Sequence, residues 1–187
     1  MLKQYSQYNL IMKEMALLEE KNPFKKILDS VLRSSMLSFK VTVPNDLYLR
    51  SDTLCDDITR LYDEDIDYSQ CDLIVHIFED FIEQIRRHDT NVGSIYNRLI
   101  VRRQQFPLIN NQPLLPNKSS NIVHTKIPRE YVYRAEVLLS DLARFTPNHS
   151  LQVEDLVEIV YLDFLLEYQN GRRTNVITEI LEILDED

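Results

Sequence analysis

The sequence predicts a mostly α-helical fold built around a short two-stranded β ribbon. Residues 39–44 and 123–128 alternate apolar and polar side chains and end at Pro44 and Pro128, the mark of short, half-buried strands with a stop. Each is followed by two stretches with apolar spacing near 3.6, the period of amphipathic helices. Glycine occurs twice and tryptophan not at all in 187 residues. So few glycines exclude a glycine-rich phosphate loop and a turn-dense β-sandwich.

Taken in order, Leu10, Met12, Met15, Leu17 and Leu18 form an apolar stripe on a first helix. Pro23 suits a first helical turn, and Phe24, Ile27, Leu28, Val31 and Leu32 continue the period. Core or dimer packing is expected for both stripes. After the first strand, Asp46 opens a helix carrying Leu47, Leu54, Ile58 and Leu61, and an acidic turn spans residues 63–67. Ser69 and Asp72 are spaced to cap the next helix, which holds Leu73, Ile74, Ile77, Phe78, Phe81, Ile82 and Ile85. Residues 94–103 read as a short basic helix or turn, and residues 106–121, rich in proline and asparagine, as an extended linker. The second strand leads into a helix over residues 130–145, with Val137, Leu138, Leu142 and Phe145 expected inside. A turn over 146–150 precedes a helix with Leu156, Val157, Ile159, Val160, Phe164 and Leu165, which Gly171 can end. A last helical period runs from Val176 through Ile180, Leu181 and Leu184 into an acidic tail.

The two strand-helix-helix stretches align with one another. At an offset of 84, Pro44, Arg50, Leu54, Asp57 and Arg60 fall on Pro128, Arg134, Leu138, Asp141 and Arg144. One deletion brings the offset to 83, where Asp72, Leu73, Asp80 and Phe81 fall on Asp155, Leu156, Asp163 and Phe164. We read this as an internal duplication. The expected organisation is an N-terminal helical segment (1–37), a first copy (38–92), a basic helix and linker (93–121), and a second copy with a C-terminal helix (122–187).

The net charge of −9 opposes a polyanion in general. It is unevenly spread: residues 38–86 carry −8 and residues 87–121 carry +4. No apolar run reaches the ~20 residues that cross a bilayer, and the first 22 residues are too interrupted by charge for a signal peptide. Cys55 and Cys71 make no disulfide framework, so a reduced, cytoplasmic setting is expected. Both cysteines, and His76 on an apolar stripe, are expected to serve as packed core side chains.

The openings Phe39-Lys40-Val41-Thr42-Val43-Pro44-Asn45-Asp46-Leu47 and Val123-His124-Thr125-Lys126-Ile127-Pro128-Arg129-Glu130-Tyr131 resemble those of the ribbon-helix-helix superfamily of Arc- and MetJ-like DNA-binding proteins. The resemblance implies two strands paired antiparallel, a ribbon that enters the DNA major groove, and work as a repressor or a plasmid maintenance or transfer accessory protein. No cofactor and no enzymatic activity are implied, and two chains are expected to associate. A lone strand needs a partner edge, and two copies in one chain supply it. Alternation then turns Lys40, Thr42, His124 and Lys126 outward, towards base edges. The starts of the second helices, at Ser69, Gln70 and Ser150, are expected to hold phosphates, with Arg98, Arg102 and Arg103 adding contacts. The rival reading is an interaction protein that keeps the fold, does not bind DNA, and docks a basic protein partner on its acidic surface. An Arg144-to-His149 spacing of the kind found in some helical ribonucleases is read as chance.

Overall fold

The computed structural model describes residues 3–22, 34–62, 67–87, 92–105 and 119–186. These form helix α1 (Leu10–Glu19), strand β1 (Met36–Pro44), helices α2 (Asn45–Tyr62), α3 (Gln70–Arg87) and α4 (Val92–Gln105), strand β2 (Ser120–Pro128), and helices α5 (Arg129–Phe145), α6 (Val153–Gln169) and α7 (Val176–Glu186). The second N-terminal stripe, most of the acidic turn and most of the linker lie outside the described residues. No helix among the described residues is long and apolar enough to cross a membrane.

The two strands pair with each other, antiparallel, as the sequence leads one to expect. Lys40 lies opposite His124 at the centre of the ladder, Ser38 opposite Lys126, and Thr42 opposite Ile122. Each strand is three residues longer at its start than its alternating pattern suggests. Pairing with the other strand extends the ladder over Met36–Ser38 and Ser120–Ile122, beyond the alternating segments. The ladder closes the same way at both ends. Asn45 N–H donates to the Ser119 carbonyl at 3.1 Å, and Arg129 N–H to the Ser35 carbonyl at 2.7 Å. Both donors follow a proline, whose fixed φ turns the strand directly into a helix.

One face of the ribbon is the floor of the core. Phe39, Val41, Val43, Val123 and Ile127 are buried there. The second helix of each stretch crosses to the other stretch's strand: α3 packs on β2 and α6 on β1, while α3 and α6 also meet. The two halves therefore share one core. α3 is amphipathic, but α6 buries Leu156, Val157, Ile159, Tyr161, Leu162 and Leu165 on nearly all sides, as a central helix does. Its walls are α2, α3, α4 and the N-terminal segment. Gly171, at φ +65°, ends α6, and Arg172 N–H returns to the Glu167 carbonyl at 2.9 Å, a cap that favours glycine. The basic segment is a full helix, α4, and α7 packs on α2.

Several side chains expected inside are outside. In α1 only Leu10 is buried, and Leu18 is 81% exposed. The helix is held by its N-terminal end rather than along its stripe. Val137 is 37% exposed, and Phe145 and Leu61, at the ends of α5 and α2, are 67% and 64% exposed. His76 is half-buried, with Nδ1 2.8 Å from the Tyr68 hydroxyl. Cys55 is buried, and burial pushes its thiol up to about 12. Cys71 is only half-buried.

The anchor of α1 is a buried carboxylate. Glu136 on α5 is 0% exposed and accepts the N–H groups of Leu10 at 3.0 Å and Ile11 at 2.9 Å, together with the Ser6 hydroxyl. A carboxylate at the positive end of a helix satisfies otherwise orphaned amides. Removing it leaves buried donors unpaired. Glu136→Ala should lower stability by ~2–3 kcal/mol in urea unfolding and expose residues 3–19 to proteolysis. An unchanged urea midpoint counts against this anchoring role.

Candidate nucleic-acid interface

The solvent side of the ribbon is built by strand alternation. Met36, Ser38 and Lys40 of β1 face outward with Ser120, Ile122, His124 and Lys126 of β2, and Thr42 is half-buried at the end of the row. Lys40 and His124 stand side by side across the ladder. These eight residues include two lysines, a histidine and no carboxylate. The fold thus brings Lys40, Thr42, His124 and Lys126 together on one side of the ribbon, as alternation predicts. Met36, Ser38, Ser120 and Ile122 join this face where the strands extend beyond the alternating segments.

Neither outer edge of the ribbon is bare. The Cys71 thiol at the start of α3 donates to the His124 carbonyl at 2.9 Å, and the Thr125 hydroxyl donates back to the Cys71 carbonyl at 3.1 Å. On β1, the Tyr8 hydroxyl and the Gln7 amide donate to the Ser38 carbonyl at 2.6 and 3.2 Å. Glu158 of α6 accepts the Thr42 N–H at 3.3 Å.

The expected phosphate contacts fare differently. Ser69 does precede α3, but Asp72 accepts both its N–H at 2.9 Å and its hydroxyl at 2.6 Å. Gln70 is buried, and its amide donates to the Tyr48 carbonyl at 3.3 Å, so its side chain turns into the protein. Ser150 is exposed but stands three residues before α6. The cap there is Gln152, whose N–H donates to Asp155 at 2.9 Å. α6 starts later than the spacing predicts, because the turn before it continues to Gln152. It contains buried His149, whose Nε2 lies 3.0 Å from the Leu139 carbonyl and whose ring stacks on Tyr5. Burial lowers the His149 pKa.

Arg98 is exposed on α4, but Arg102 pairs with Asp163 of α6 at 2.8 Å. Both arginines line a cleft with the distal part of α3, Ile77 to Ile85, whereas the first turn of α3 touches the ribbon. The Arg103 side chain lies outside the described residues. Among the described residues no group of His, Cys, Asp and Glu side chains is placed to hold a metal ion.

No family model, no curated protein and no solved structure matches the chain.

Glu158 gives the ribbon edge a pH dependence. Burial pushes its carboxyl up to about 7, against the Thr42 N–H, which favours the charged form. The folded chain therefore holds this proton to higher pH than the unfolded chain, whose value is near 4.5. This group's contribution to stability is fully present below about pH 4.5 and is lost as pH rises to about 7. Glu158→Gln should be more stable than the parent at pH 8 by roughly 1–2 kcal/mol, after allowance for partial solvent screening. The gain should vanish below pH 4.5. Parallel pH–stability curves for the two proteins would contradict it.

Proposed function

We propose that the chain is a pair of fused ribbon-helix-helix units that binds duplex DNA through the solvent face of its β ribbon. One observation carries this reading. An acidic protein presents, on an exposed two-stranded ribbon, Lys40, His124 and Lys126 with no carboxylate among them. A two-stranded ribbon fits a major groove about 12 Å wide, where lysine meets guanine acceptors and threonine offers a hydroxyl or a methyl. The crossing of α3 and α6 onto each other's strands supports a pair of like units joined in one chain. It lets each half supply the edge and the covering helix that the other needs. The biological role that follows is that of a repressor or a plasmid maintenance or transfer factor, without chemistry of its own and in association with a second copy.

A second reading has its own support. Asp72 and Asp155 occupy the amide ends of α3 and α6, where a phosphate is expected, and the first half is strongly acidic. Both favour a module that binds a basic protein partner instead.

The two readings part on one measurement. Fluorescence anisotropy of a duplex from the chain's own upstream DNA, titrated at several salt concentrations, should show saturable binding that weakens with salt. Lys40→Ala and Lys126→Ala should each weaken it by ~1–3 kcal/mol and leave the melting temperature unchanged. If binding persists undiminished in both variants, the ribbon is not the reading element. If the parent binds no duplex at low salt, the protein-partner reading stands.

A further inference from the structure

A cleft opens between α3, α4 and α6. It encloses about 310 Å³, near the lower limit for small-molecule sites. Its lining is mixed: Phe81 of α3 and Phe164 of α6 contribute apolar surface, with Ile77 and Val160. Its rim carries three guanidinium groups, Arg98, Arg102 and Arg173, and two carboxylates, Asp80 and Asp163.

The charges balance in number, three arginines against Asp80, Asp163 and Glu167, but they are unevenly paired. Arg102 is taken by Asp163 at 2.8 Å. Arg173 reaches Glu167 at 3.3 Å and lies 5.3 Å over the Phe164 ring. Asp80 accepts the Gln84 amide at 2.6 Å. Arg98 makes no ion pair within 4.0 Å among the described residues, although its charge also favours ionised Asp163, and it stands one turn before Arg102 on the same helix. The mouth therefore holds one guanidinium outside the ion pairs, in a cleft also lined by Phe81 and Phe164. A helix-to-helix ion pair accounts for Arg102 and Asp163, but not for the open volume or for Arg98.

We propose that this cleft binds a small organic anion with one apolar end, an aromatic carboxylate or phosphate monoester. The anionic group meets Arg98 and the free N–H groups of Arg102, since a guanidinium fork suits either oxyanion. The apolar end rests between Phe81 and Phe164. Those two phenylalanines, like Asp80 and Asp163, are positions that the alignment of the two halves equates, so such a ligand touches both halves at once. The arginines come from α4 and from the segment after α6, so the anion approaches from one side.

The test uses the full chain and four probes: phenyl phosphate, phenylacetate, inorganic phosphate and benzyl alcohol. Calorimetry and amide chemical shifts should show phenyl phosphate, phenylacetate or both binding at least about tenfold more tightly than inorganic phosphate or benzyl alcohol, with shifts confined to α3, α4 and α6. Which of the two binds better distinguishes a phosphate from a carboxylate ligand. Arg98→Gln and Arg98→Ala should weaken binding about tenfold without changing the melting temperature, while Arg144→Ala, on an exposed helix end elsewhere, leaves it unchanged. Benzyl alcohol binding as tightly as the anions, undiminished binding in both Arg98 variants, or no saturable shift up to about 10 mM of any probe overturns the proposal. None of these outcomes depends on whether the ribbon binds DNA.

Discussion

Neither strand of this protein has a use for its own backbone until the other arrives. A nine-residue strand alone leaves a row of amides and carbonyls that water or another edge must satisfy. β1 and β2, far apart in the chain, satisfy one another along their inner edges, and the ladder is tied off by Asn45 at one end and Arg129 at the other. The outer edges are occupied by Cys71, Tyr8, Gln7 and Glu158. The helices follow from this. A ribbon with one apolar face needs a cover, and each half's second helix covers the other half's strand. The core therefore cannot be divided between the halves.

Carboxylates do much of the joining. Glu136 holds the start of α1, Asp72 and Asp155 cap the starts of α3 and α6, Glu154 takes the Gln7 N–H at 2.9 Å, and Glu158 takes that of Thr42. Each accepts from backbone N–H, an interaction stronger than one between neutral groups. Part of the acidity in the composition is therefore spent on helix starts and strand edges. It is not all an exterior field that repels anions, and the ribbon's solvent face carries none of it.

The strands and their faces were legible in the sequence because alternation with period two assigns a face without ambiguity. Pro44 and Pro128 fixed the ends to the residue. The starts were hidden, since Ser120 and Asn121 are extended by pairing rather than by propensity. Helical periodicity located α2, α3, α5, α6 and α7 but gave less about what they bury. Met12, Met15 and Leu18 keep a helical spacing and still face out, because α1 is fastened at its tip. Of the candidate site, the outward side of Lys40, His124 and Lys126 was legible, with Thr42 half-buried beside them. The Ser69–Asp72 cap was legible from its spacing, but the turn of Gln70 towards Tyr48 and the start of α6 at Val153 were not, since packing rather than local spacing decides them. The cleft was invisible for a similar reason: it combines residues from α3, α4, α6 and the segment after α6, which only the packing brings together.

The centre of the ladder sets Lys40 against His124. In a ribbon made by two identical chains that position would pair a residue with its own copy, and the surface would look the same after half a rotation. Here a lysine faces a histidine, and outward from them Thr42 lies opposite Ile122 on one side and Ser38 opposite Lys126 on the other. Whatever lies across this surface meets unlike ends. The ribbon has a left and a right, so it can hold a partner in a single orientation and give direction to what is assembled beside it.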